Sequence, residues 1–134
     1  MNPMAYVKPP FLVRNVLNKV AMATGIGGTE TLVVKGRTSG EPRKVPVTPI
    51  RFDGVQYLVS VRGEAEWVRN VRAAGQIELV KKGSSRTVSA TEVPVSEAGP
   101  VIAHYREKLG SVVKGYWEQL PDDADHPVFA LGGA

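Results

Sequence analysis

Two short stretches combine the residue types that hold an anion. Gly36-Arg37-Thr38-Ser39-Gly40-Glu41-Pro42-Arg43 sets two arginines and two hydroxyls in a loop between β-branched runs, and Ser60-Val61-Arg62-Gly63 repeats the theme in four residues. Glycines let backbone N–H groups approach an oxyanion, hydroxyls add donors, and a guanidinium meets phosphate or carboxylate as a bidentate fork. The second stretch leads straight into a helical segment, whose start adds partial positive charge for an anion. Glu64 and Glu66 could instead satisfy that helix start themselves. Trp67, the large aromatic beside this basic set, reads either as a core residue or as a plate for a planar ring system.

Other chemistries lack their residues. There is no G-x-S-x-G, no P-loop, no G-x-G-x-x-G after a strand and no pair of histidines at ligand spacing. His104 and His126 read as surface or packed residues, so neither acid-base hydrolysis nor a metal site is expected. With no cysteine, disulfides and thiol nucleophiles are excluded, and a reducing cytoplasm is the expected compartment. The basic stretch lacks interleaved aromatics, which argues against nucleic acid.

The elements that position these loops are mostly strands. The runs TETLVVKG, RKVPVTPIRFDG, VQYLVSV, QIELVKKG, SRTVSATEVPV and VFALGG read as six strands, interrupted by a helix over GEAEWVRNVRAAG that ends at Gly75. Asp53-Gly54 and Lys82-Gly83-Ser84 mark hairpins, and Gly36 and Gly40 are expected to supply positive φ in the first loop. Prolines in KVPVTP confine that strand to an edge or bulge with free backbone groups. Ser96 is the expected cap of a helix through EAGPVIAHYREKLG, and SVVKGYWEQL reads as another short helix. Leu12, Val13, Val16, Leu17 and Val20 recur at helical spacing in an N-terminal segment that suits packing on a sheet, or peripheral membrane contact through its basic face. An α+β fold, mainly β, follows: a closed or split β-barrel of about six mostly antiparallel strands with three to four helices.

Length and composition agree. The 134 residues, 43% hydrophobic and 22% charged, suit one soluble domain over 1–134, with 1–28 as N-terminal helix and linker. No window approaches a transmembrane segment. The net charge of +4 is unevenly spread: residues 35–86 hold eleven Lys or Arg against five acids, and residues 87–134 hold three against seven. The central part of the chain is thus expected to meet something anionic.

The paired motifs G-R-x-[ST]-G-x-P-R and S-x-[RK]-G, followed by W-x-x-N at Trp67 and Asn70, resemble the deazaflavin-dependent nitroreductase family, small split-barrel reductases that use coenzyme F420. The resemblance implies that Arg37, Thr38, Ser39 and Arg43 bind the phosphate and acidic tail, and that Lys44, Val45, Pro46, Val47 and Thr48 contact the deazaflavin through the strand backbone. It places Val59, Ser60, Val61, Arg62 and Gly63 at the second turn, with Arg62 as a phosphate partner and Trp67 and Asn70 beside the cofactor. Hydride would pass from reduced F420 to an electron-poor small molecule such as an activated alkene, a quinone or a nitro compound, with Tyr116 as the candidate proton donor or a substrate-orienting group, while Tyr57 and Tyr105 pack. Relatives acting on bulky nitroimidazoles carry an aromatic hydroxyl where this chain has Thr48, which counts against nitro-prodrug activation. Two other readings share these residues: an FMN-binding split-barrel oxidoreductase and a non-catalytic F420 carrier. The expected assembly is a monomer or homodimer.

Overall fold

Tight hairpins set the path of the chain in the computed structural model, which describes residues 28–132. Strands β1 (Glu30–Lys35), β2 (Pro42–Val47), β3 (Ile50–Phe52) and β4 (Val55–Val59) precede helix α1 (Glu66–Ala74). Strands β5 (Gln76–Lys81) and β6 (Ser84–Glu92), helices α2 (Val95–Leu109) and α3 (Ser111–Gln119), a 3-10 turn (Asp123–Asp125) and β7 (Val128–Leu131) complete the order. The expected N-terminal helix lies outside the described residues. Asp53 (φ 51°) with Gly54 (φ 78°), and Lys82 (φ 50°) with Gly83 (φ 82°), form the two hairpin turns that the sequence announces.

All pairings are antiparallel, in the order β2-β1-β5-β6-β7-β4-β3. The two ends of this order, β2 and β3, are joined by Thr48 and Pro49 alone. So short a link spans only about 10 Å, so the sheet must curl until its first and last strands adjoin. That is the split barrel, with β6 carrying the curl: its first part pairs β5, and from Ala90 onward it pairs β7. The run 43–54, expected as one strand, is two. Pro49 has no N–H for a ladder and breaks the run, which makes seven strands of six.

Alternation fills the barrel and covers one outer face. Leu32, Val34, Leu58, Ile77, Leu79, Val88 and Phe129 meet inside, together with Val68 and Val71 of α1. Val59 and Val128, neighbours of Leu58 and Phe129, face the opposite way and join Ile50 to Val101, Ile102, Tyr105, Val113 and Trp117 under α2 and α3. Strands β4 and β7 are therefore buried on both faces.

Helix α1 ends where expected, at Gly75 (φ 71°), whose N–H donates to the Val71 carbonyl at 2.8 Å. Helix α2 begins earlier than expected, because Pro94, with φ −57°, is the N-cap and its carbonyl accepts the Glu97 N–H at 2.9 Å. Ser96 falls inside the first turn and does not cap. The first loop also differs in detail: Gly40 has φ 76°, but Gly36 does not take a positive φ. Gly36 is required for space, since a Cβ there would lie 2.8 Å from Ser39 Oγ and 3.2 Å from the Glu41 carbonyl oxygen.

Candidate cofactor cleft

A cleft of about 830 Å³ opens between the first loop, β2, the turn after β4, the start of α1 and the α2–α3 corner. It gathers nearly every residue that the motifs single out. Arg37, Thr38, Ser39, the run 43–48, Val59, Val61, Arg62, Trp67, Asn70 and Tyr116 all line it. Ser60 and Gly63 do not. Ser60 is buried, and its Oγ donates to the Gly63 carbonyl at 2.6 Å, so these two residues shape the turn that presents Arg62.

The loop 36–43 is closed on itself and pinned to α1. Gly36 N–H donates to the Glu41 carbonyl at 2.8 Å and Gly40 N–H to the Gly36 carbonyl at 2.9 Å. Buried Asn70 then accepts twice through Oδ1, from the Arg37 backbone N–H at 3.1 Å and from Arg37 Nη1 at 2.8 Å. The asparagine of W-x-x-N thus orients the first arginine of the loop. Arg37 Nη2 meets both oxygens of Glu66 at 3.2 and 3.3 Å. Arg43 Nη2 reaches Ser39 Oγ at 3.5 Å, and Ser39 Oγ accepts the Glu41 N–H at 3.1 Å.

Helix α1 starts at the cleft without a side-chain cap on Ala65. Neither acid beside it serves as one: Glu64 is taken by Arg72 at 3.0 and 3.1 Å, and Glu66 by Arg37 and Arg69. Among the described residues four cations and one carboxylate line the cleft, so the site is electropositive at the end where a helix dipole adds to the same sign. Trp67 is half-buried, its ring 6.0 Å from that of Phe129. It leans on the barrel core and presents the rest of its surface to the cleft.

The opposite wall is apolar and comes from the helices. Tyr105, Leu109, Val112, Val113 and Tyr116 line it, with Val112 74% exposed. Of these, only Tyr116 is among the sequence candidates, because their spacing reads as ordinary core packing. Arg62 crosses to this wall: its Nη2 donates to the Tyr116 hydroxyl at 2.8 Å, and its guanidinium carbon lies 4.8 Å from the ring centroid. His126 braces the pair. Its ring, 2% exposed and stacked on Trp117 at 3.9 Å, places Nδ1 2.8 Å from the Ser60 carbonyl oxygen and Nε2 2.7 Å from that of Leu120. The turn bearing Arg62 and the end of the helix bearing Tyr116 are thereby tied to one residue. Burial, with a lesser contribution from Tyr116, raises the Tyr105 pKa well above the ordinary phenol value.

Comparison with known proteins bears on the fold and on the family. Among solved structures, an F420H2-dependent reductase (FDR-A) superposes with a TM-score of 0.62 at 20% identity, covering 78% of this chain and 94% of that one. An FAD-binding protein from Mesorhizobium loti matches at TM-score 0.58 and 19% identity over 98% and 94% of the two chains. HutZ, a heme storage protein from Vibrio cholerae, matches at 0.59 and 17% over 82% and 84%. These likenesses establish the split-barrel fold, which carries several cofactors. No curated protein matches the chain. The family signature of F420H(2)-dependent quinone reductase matches residues 13–129, nearly the whole chain. The electropositive loop, the helix start and the sequence signature meet in one conclusion: this chain belongs to the F420H2-dependent quinone reductase family, an oxidoreductase whose cofactor is coenzyme F420.

Proposed function

We propose that the cleft seats F420 with its phosphate and acidic tail against Arg37, Thr38, Ser39 and Arg43, with Arg62 as a phosphate partner, and with its ring along 44–48 near Trp67. The observation that carries this reading is the division of the cleft into a cationic, hydroxyl-bearing end and an apolar wall. That donor set fits a phosphorylated, carboxylate-tailed heterocycle. When bound and reduced, the deazaflavin supplies a hydride from its C5. The acceptor is an electron-poor small molecule, with a quinone favoured by the family and an activated alkene or nitro compound as the wider class.

What the chain's own residues do follows from their placement. Leu109, Val112 and Val113 offer an apolar surface on which a flat acceptor lies against the ring, and they exclude water from the transfer. Hydride addition to a quinone leaves an oxyanion that takes up one proton. Tyr116 is the donor in this reading. Because Arg62 donates to its oxygen, the phenolic proton is left for the cleft, and the guanidinium steadies the oxygen once the proton has gone. The remaining Arg62 donors are available to an anionic part of the cofactor.

Titration of the purified protein with F420 and, separately, FMN, followed by tryptophan fluorescence, tests the reading. F420 is expected to quench Trp67 and to bind at micromolar concentration or below; FMN binding alone would favour the flavin alternative. Turnover of a quinone with F420H2 then separates an enzyme from a carrier. Binding without turnover of any quinone, enone or nitroaromatic would sink the catalytic assignment.

A further inference from the structure

Arg37 has more partners than it needs. Asn70, neutral and buried, already fixes it through the backbone N–H and Nη1. Glu66 adds a carboxylate on the remaining edge, with both oxygens 3.2 to 3.3 Å from the single atom Nη2. Its side chain is 77% exposed against 31% for Arg37. An exposed pair of this kind contributes little net stability and separates at little cost. Glu66 also has a second cation within reach, Arg69 Nη1 at 3.8 Å, on the next turn of the same helix. Among the described residues it is the one acid that lines the cleft.

We infer that Glu66 competes with the cofactor for Arg37: its carboxylate holds the guanidinium edge that a cofactor phosphate or tail carboxylate takes on binding. This rests on the placement of the anionic part of F420 proposed above. On binding, the Glu66 side chain swings toward Arg69 and leaves Arg37 to the ligand, while Asn70 keeps the arginine in place. Glu66 is then a specificity device. Displacing it costs little, so a ligand that brings a phosphate diester and tail carboxylates to Arg37 together offsets that cost easily, while a single weak contact is discounted by it. The opposite role, a carboxylate needed to position Arg37, is made redundant by Asn70.

The two roles predict affinity changes of opposite sign. Glu66→Gln keeps the shape and removes the charge. It should tighten F420 binding about two- to fivefold, the range for releasing one exposed ion pair, with the gain shrinking at high salt. The phosphate-free deazaflavin riboside should bind wild type and variant alike. Glu107→Gln, an equal charge change on the exposed side of α2, should leave F420 affinity unchanged. Unchanged or weaker F420 binding by Glu66→Gln, or an equal gain for the riboside, would overturn the inference. Inorganic pyrophosphate, titrated into both proteins by calorimetry, reads the anion seat without the ring and should bind the variant more tightly. If wild type binds no F420, the cofactor placement fails, and the pyrophosphate comparison alone then decides whether Glu66 competes for Arg37.

Discussion

At the scale of single residues, the cationic side chains of the cleft divide into those already committed and those still open to a ligand. Arg37 is held by Asn70 and Glu66, whereas the recorded partner of Arg43 is the Ser39 hydroxyl at a long 3.5 Å. Arg43→Ala should therefore weaken F420 binding by about 1.5 to 3 kcal/mol, the range for a charged hydrogen bond, as read by fluorescence titration; undiminished affinity would remove Arg43 from the site. Tyr116→Phe keeps the ring over Arg62 and deletes the proton. It should lower kcat about a hundredfold or more, the scale of general acid catalysis, with the F420 dissociation constant within about twofold of wild type. Tyr105 offers a test on stability instead. Its phenol keeps its proton to higher pH in the native protein than in the unfolded chain. The stability this represents is complete below about pH 10, where an unfolded tyrosine begins to ionise, and falls by up to about 1.4 kcal/mol per pH unit above it. Urea denaturation across that range should show a shallower alkaline decline for Tyr105→Phe than for wild type.

At the scale of elements, one arginine fastens the helix that opens the cleft. Arg72, in the last turn of α1, donates to Glu92 of β6 at 2.7 and 2.9 Å and to Glu64 at 3.0 and 3.1 Å. The two carboxylates raise its pKa beyond any working pH, so the staple is insensitive to pH through the guanidinium and sensitive to salt through screening. Arg72→Ala should cost about 1 kcal/mol, seen as a lowered urea midpoint whose difference from wild type narrows at high salt. Which of these elements the sequence discloses depends on how local their causes are. Asp53-Gly54 and Gly75 act within a few residues, and hairpin and helix end stand where their types put them. Pro49 is equally local, yet six strands are expected in place of seven, because the β-branched pattern continues across the break. The Ser96 cap is outdone by Pro94, whose fixed φ starts α2 two residues sooner. The cationic side of the cleft is legible as motifs. Its two key pairings are not: Arg37 with Asn70 and Arg62 with Tyr116 are 33 and 54 residues apart, and no spacing rule reaches so far. The wall made by Leu109, Val112 and Val113 is hidden for another reason, since apolar residues at helical spacing look alike whether they face a core or a cleft.

At the scale of the whole molecule, ligand binding and folding are joined, because the cleft is assembled from both flanks of the barrel's split and from the helices that cover its outer face. A ligand at a hundred times its dissociation constant adds about 2.7 kcal/mol to stability, which in a domain of this size raises the melting temperature by about 10 °C. F420 should produce this shift in differential scanning fluorimetry, and the Arg43→Ala variant should need proportionately more ligand for the same rise; no shift at saturating F420 would contradict a site built across these elements. Among the described residues no helix is long and apolar enough to cross a membrane. The two walls of the cleft also differ in ancestry within the chain: the cationic wall is drawn from residues 36–70 and the apolar wall from residues 105–116. Gly110, at φ 54° and ψ −126°, separates α2 from α3 at the middle of that second segment. On the placement of F420 proposed above, substitutions at Leu109 or Val112 would change which acceptor fits without touching the loop that the cofactor's anionic part meets, whereas a change at Tyr116 would be felt on both walls through Arg62.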